Sequence, residues 1–256
     1  MIKIGLFLTL ILAGVYVFAQ EDDRQRTVDQ MAIDYFQSAG RQSALYYGKV
    51  QEGHFRVSNH PYLKDSQYAK SRLSYCQIIY PDALLRLDWS KDELIVQSPD
   101  LYNIVLFPEN VDYADLHGRR IIYFNRDSMP GCLPTREKSQ GLLNKQRREK
   151  LPGCPPTGYY VLLHSGKCKV LHKKTASLML RGVNSKEQHY VFTSFHYLYK
   201  DGVYYPIRSK SGLLKHLHPY KKELKRYIKP YHLRFRNDAE EILAMIVKEY
   251  EKLSGL

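Results

Sequence analysis

The sequence predicts an α+β protein: mainly antiparallel β meanders and hairpins, followed by two or three C-terminal helices packed on the sheet. Three observations lead there. Short runs rich in β-branched and aromatic residues recur through residues 44–206, separated by turn residues. Asp201-Gly202 stands between two such runs, and Asp-Gly favours a tight hairpin because both central residues of a type I′ turn need positive φ. From residue 208 onward the apolar spacing changes from two to about 3.6, the helical period.

Taken in order, Met1–Gln20 opens with Lys3 and an unbroken apolar run over residues 4–16, then Val17-Phe18-Ala19 and an acidic Gln20-Glu21-Asp22-Asp23. This is a secretory signal pattern, with cleavage expected after Ala19. The apolar run is shorter than the roughly 20 residues a spanning helix needs, and no Cys lies near the cut to carry a lipid. The expected location is therefore periplasmic or secreted, without a lipid anchor. Residues 27–38 read as a short helix. Strands are expected at 44–50, 73–80, 83–89, 93–97, 101–107 and 120–124, with Trp89-Ser90-Lys91-Asp92 as a hairpin loop. GYYVLL turns at Ser165-Gly166 into KCKVLHK, and HYVFTSFHYLY turns at Asp201-Gly202 into VYYPI. Leu213, Leu214 and Leu217 mark a first C-terminal helix, and Leu224, Tyr227 and Ile228 a second, stopped by Pro230. A last helix is expected from an N-cap at Asn237 or Asp238, burying Ala239, Ile242, Leu243, Ile246, Tyr250 and Leu253. The resulting organisation is a signal peptide at 1–19, a β-rich domain at 20–207 with a basic Cys-bounded loop at 130–156, and a helical segment at 208–256 packed on the same domain.

Of 256 residues, 44% are hydrophobic and 25% charged, which excludes wholesale disorder and a multi-span membrane protein. The net charge of +13 is unevenly placed: residues 20–130 carry 13 basic and 16 acidic side chains, residues 131–256 carry 25 and 10. Export permits disulfides. Cys132 and Cys154 each end a Pro-Gly-Cys triplet around a polar stretch, so they are expected to pair; a loop of about 20 residues closed this way contributes on the order of 3 kcal/mol. Cys76 and Cys168, in apparent strands, are either a second bridge or small buried hydrophobes.

Chemistry is sparse. No nucleophile elbow, zincin, P-loop or dinucleotide glycine pattern occurs. His164-x3-Cys168-x3-His172 has ligand spacing but no assigned fourth ligand, and His216-x-His218 points in divergent directions on a helix, so no metal and no cofactor are expected. Asp92-Glu93 and Glu240-Glu241 read as turn and helix-start acids, structural rather than catalytic. The positive signal is Lys221, Lys222, Lys225, Arg226 and Lys229, interleaved with Tyr220 and Tyr227. On an exported protein, such a helix points away from nucleic acid and toward an anionic envelope polymer, an outer-membrane-associated protein or peripheral contact with a membrane surface. Oligomeric state is not encoded in any pattern here.

The order of YYGKVQ, NHPYL, LLRLDWSKDELIV, GYYVLLHSGKCKVLHKK and VYYPIRSKSGLLKHLHPYKKELKRYI resembles a group of uncharacterised exported β-rich envelope proteins of Bacteroidetes-type bacteria. The resemblance spans most of residues 44–254 and implies an envelope location and a β body with a helical tail. It implies no catalytic residues, and the Cys132–Cys154 insertion departs from it. The expected function is thus an uncharacterised exported envelope protein that binds an anionic component or a protein partner without catalysis. The rival is a secreted hydrolase of glycan or peptidoglycan, with the loop Asn59-His60-Pro61-Tyr62 and a carboxylate as its site. A third class, a lipid carrier, would need an apolar cavity inside a curved sheet.

Overall fold

A computed structural model describes residues 21, 23–53, 57–129, 132, 153–180 and 187–255. The expected signal peptide, Gln20 and most of the loop at 130–156 lie outside the described residues. One antiparallel sheet of eleven strands dominates, in the order β1-β5-β4-β3-β2-β6-β7-β8-β9-β10-β11. The strands are β1 Lys49–Val50, β2 Ala69–Tyr75, β3 Ile78–Asp88, β4 Glu93–Gln97, β5 Asn103–Val105, β6 Val111–Leu116, β7 Arg119–Phe124, β8 Gly158–Ser165, β9 Lys169–Leu180, β10 Gln188–Lys200 and β11 Val203–Pro206. A helix α1 covers 23–39, and three helices close the chain: α2 Lys210–His216, α3 Lys221–Ile228 and α4 Phe235–Ser254. This is the α+β arrangement that the change of period predicts. No helix among the described residues is long and apolar enough to cross a membrane.

Several elements differ from their sequence expectation for local reasons. Residues 73–80 are two strands, because Cys76 and Gln77 both adopt positive φ (52° and 64°) and make a tight turn without the usual Asn or Gly. Strand β3 instead runs on through Pro81 to Asp88. Residues 111–116, too charged to stand out, form β6 and turn into β7 at His117-Gly118 with φ of 53° and 72°. Residues 44–46 form a helical turn, leaving only Lys49–Val50 of the expected strand paired. Helix α1 is longer than 27–38; its Phe36 packs against Tyr80, and Asp29 pairs with Arg72 at 2.6 Å.

The sheet curls until its far regions touch. In strand order β3 and β9 are five places apart, yet the Ala176 N–H donates to the Trp89 carbonyl at 3.2 Å. The right-handed twist of a long antiparallel sheet makes such closure natural. Residues 57–63 seal the seam. Leu63 N–H bonds Leu87 O and Trp89 N–H bonds Pro61 O on one side, while Asn59 exchanges two hydrogen bonds with the Tyr190 backbone, at 2.9 and 2.7 Å, on the other. The interior is filled by side chains such as Leu73, Leu85, Leu87, Leu94, Ala114, Ile121 and Tyr159, all fully buried. A second core forms where the C-terminal helices meet β8–β11, with Val170, Leu198, Leu213, Leu224, Ile242, Leu243 and Ile246 at its centre. Helix α4 follows its expected stripe at Ile242, Leu243, Ile246 and Tyr250, but Ala239 is only half-buried, Leu253 is left 38% exposed and Val247 is buried as well. Asp238, at the expected N-cap, has non-helical φ and ψ and breaks the first turn from the rest.

Candidate functional site

The site is built on β9, where three successive residues face opposite sides of the sheet, as the period of two requires. Lys173 points one way and is nearly buried; its Nζ lies 2.6 Å from Asp92 Oδ2, while Asp92 Oδ1 accepts from the Tyr159 N–H at 3.1 Å. The close approach needs Gly158, since a Cβ there would fall about on Asp92 Oδ2 and Lys173 Nζ. Burial pulls the Lys173 ammonium below its ordinary pKa, and Asp92 opposes this. The pair fastens the β3–β4 turn to β8 and β9.

His172 and Lys174 point the other way, toward α4. His172 Nε2 lies 3.1 Å from Glu240 Oε1, Lys174 Nζ lies 3.8 Å from the same oxygen, and Arg119 of β7 pairs with Glu240 Oε2. His172 is the main cause that brings the Glu240 carboxyl down to about 2, with Arg119 adding to it and burial opposing. His172 Nε2 reaches the Glu240 carboxylate without being well aligned to it. His196, directly opposite on β10, stacks on His172 with ring centroids 4.7 Å apart. Burial, followed by repulsion from His172, pushes His196 down to about 4, so it is neutral at ordinary pH. Neither His172 Nδ1 nor His196 Nε2 has a hydrogen-bond partner among the described residues, although His172 is 1% and His196 8% exposed. Buried polar atoms seldom stay unpaired in a finished structure.

These groups open on a cavity of about 630 Å³ between the start of α4 and the ends of β9–β11. Its wall adds Arg208 and Arg236 to Lys174, against the single carboxylate of Glu240, with Phe195, Ile207 and Phe235 as apolar lining. Chemically the arrangement offers cations and imidazole edges to an anion that enters from solvent.

The expected site residues fall in several places. Lys222, Lys225, Arg226 and Lys229 are exposed and Lys221 is half-buried on α3, whose Leu224 and Ile228 anchor it to the second core; none of the five basic residues makes an ion pair with a described residue. Cys132 and Cys154 are bonded as expected, packed against Phe124, Tyr160 and Tyr204. Cys76 is a free exposed thiol and Cys168 a free buried one, so the second-bridge alternative does not hold. His164 is engaged by Glu251 at 2.8 Å, and the other oxygen of Glu251 accepts from the Cys168 N–H. That carboxylate fits only because residue 166 is glycine. No group of three metal-ligating side chains occurs among the described residues. Asn59 and Pro61 serve the seam between β3 and β10, and Asp88 caps its turn by accepting from the Ser90 and Lys91 amides. His172, His196, Lys174, Arg208, Arg236 and Glu240 were not assembled by sequence reasoning. Glu240 was read as a helix-start acid, and the alternation of β9 and β10 was the available signal that His172 and His196 share a face.

Fold and site together describe an α+β protein of one curled antiparallel sheet, with a cation-rich cavity under its C-terminal helix. Comparison of the chain with known protein families, curated proteins and solved structures finds no match.

Proposed function

We propose that the protein is an exported, non-enzymatic binding protein of the cell envelope that holds an anionic component in the cavity beside α4. The observation that carries this reading is the imbalance of the cavity wall: Lys174, Arg208 and Arg236 against Glu240, beside two buried imidazoles with unpartnered nitrogens. The basic face of α3 serves the same end at longer range, by drawing polyanions or an anionic surface toward the protein. Support for the envelope location comes from the signal-like leader, the resemblance to exported envelope proteins and the Cys132–Cys154 bond, which suits an oxidising compartment. The filled interior of the sheet argues against a carrier whose cargo lies inside it.

The test is co-sedimentation of purified protein with envelope fractions across a salt series. Two variants accompany the native chain: Lys174→Gln with Arg208→Gln and Arg236→Gln, and Gln at all of Lys221, Lys222, Lys225, Arg226 and Lys229. Binding that falls steeply with salt and disappears in the cavity variant supports the reading. Loss only in the α3 variant would move the site to the helix surface, and salt-independent binding by all three would end the electrostatic reading.

A second reading, a hydrolase of glycan or peptidoglycan, has one observation in its favour: a histidine beside a carboxylate in an open cavity. A carboxyl held down to about 2 is a poor general acid. Turnover of peptidoglycan fragments that His172→Asn abolishes would establish it.

A further inference from the structure

The face of the β9–β10 ribbon that carries the two histidines continues past the cavity. The register pairs His172 with His196, then Lys174 with Ser194, Ala176 with Phe192, and Leu178 with Tyr190. Directly opposed residues and every second residue along a strand share one face. The face thus changes character along its length. Its first two pairs are imidazoles, an ammonium and a hydroxyl at the cavity; its last two are apolar and aromatic. Tyr190 and Ala176 are covered by the seam at residues 57–63 and Trp89, but Phe192 is 42% and Leu178 45% exposed. Phe192 on β10 and Leu178 on β9 sit diagonally to one another past the cavity on the face that carries the histidines, so that face is a strip polar at one end, with exposed apolar side chains at the other.

We propose that the ligand is a phosphate-headed amphiphile. Its head sits among Lys174, Arg208 and Arg236, where Arg guanidinium groups grip phosphate oxygens in pairs, and His172 Nδ1 and His196 Nε2 gain the partners they lack. Its alkyl or acyl chain lies over Phe192 and Leu178 and covers their exposed surface. The seam at Asn59 and Trp89 bounds the strip, so the chain leaves toward solvent at Leu178 rather than entering the filled interior. This inference rests on the anion-binding reading and adds the tail to it.

Calorimetric titration of the full chain with three probes tests the two claims apart: methyl phosphate, dodecyl phosphate below its micellar concentration, and dodecyl maltoside. Dodecyl phosphate is expected to bind at least about tenfold more tightly than methyl phosphate, the gain from burying about two methylenes. It should also bind more tightly than dodecyl maltoside, which has a tail and a neutral head. Phe192→Ser and Leu178→Ser change exposed side chains; together they should cut the preference for the long chain to below about threefold while leaving methyl phosphate binding unchanged. Lys174→Gln should weaken both phosphates alike. Equal binding of the two phosphates, a preference that survives the Phe192 and Leu178 changes, or equal binding of the maltoside would overturn the amphiphile while leaving an anion site. Binding of neither phosphate would overturn the anion-binding reading itself.

Discussion

Two charged centres share strand β9, on opposite faces and one residue apart. At the first, Lys173 meets Asp92 among Tyr159, Tyr160 and Gly158, with both carboxylate oxygens used. At the second, Glu240 gathers Arg119, His172 and Lys174, yet imidazole nitrogens stay unpartnered and a cavity of about 630 Å³ stands open. Both contain a carboxylate held by cations. One is complete and fastens strands together; the other has more donors than its own acceptors satisfy, which is the condition for taking a ligand. The difference lies in what surrounds each charge, since residue types alone are much the same.

The comparison breaks most visibly at the first centre. Asp92→Ala leaves the Lys173 ammonium buried without a counter-charge, and denaturant unfolding should show a loss of about 3 kcal/mol. Adding Lys173→Met should recover most of it; if the double variant is as unstable as the single one, the pair is not what Asp92 contributes. Reduction of Cys132–Cys154, whose partners are 22 residues apart, should cost on the order of 3 kcal/mol in the chain-entropy account. Tyr160 packs in one cluster with Cys132 and Cys154 and lies beside the Lys173 ammonium, so the two losses are expected to couple rather than add in a double-mutant cycle.

Acid should unfasten the second centre first. His196 is held neutral down to about 4 against an ordinary 6.5, so the unfolded chain binds the extra proton more readily. The stability this represents, about 3 kcal/mol at most, is full above pH 6.5 and lost as pH falls toward 4. Glu240, held down to about 2 against 4.5, gives stability that is full above 4.5 and lost as pH falls through about 2. Unfolding free energy measured from pH 7 to 4 should therefore decline, and His196→Gln should flatten the decline; an unchanged slope would remove His196 from the account. Glu240→Gln is the most informative change functionally. It should cost about 3 kcal/mol at neutral pH, in line with the depressed pKa of the carboxyl, yet raise affinity for methyl phosphate about tenfold, because Arg119 and Lys174 lose their internal counter-ion. Weakened phosphate binding in that variant would make Glu240 a support of the site rather than a competitor for it.

Much of this architecture could be read along the chain. The helical stripe of α4 from Ile242 to Tyr250, the Asp201-Gly202 turn and the Cys132–Cys154 bond follow from local signals. The turn at Cys76-Gln77 could not be read, because neither residue advertises positive φ and only the flanking strands enforce it. Strand β6 was hidden by Asp112 and Asp115, which serve Ser74 and Arg120 across the sheet. The five basic residues of α3 were legible as a charged face. The cavity was not, since it joins β9, β10, the end of β11 and α4, and no local spacing relates His172 or Lys174 to Glu240.

By itself the sequence determined the α+β class, the alternation that puts His172 and Lys174 on one face and Lys173 on the other, and the basic balance of the second half. Hydrophobic period, turn chemistry and composition act over a few residues, so a linear reading reaches them. Tertiary structure alone decided that the sheet curls until Trp89 meets Ala176, and that α4 lays Glu240 against Arg119, His172 and Lys174. It also placed the buried imidazoles of His172 and His196 on the wall of the cavity. Those outcomes depend on twist accumulated over eleven strands and on packing between distant segments, and such long-range geometry leaves no mark at any single position.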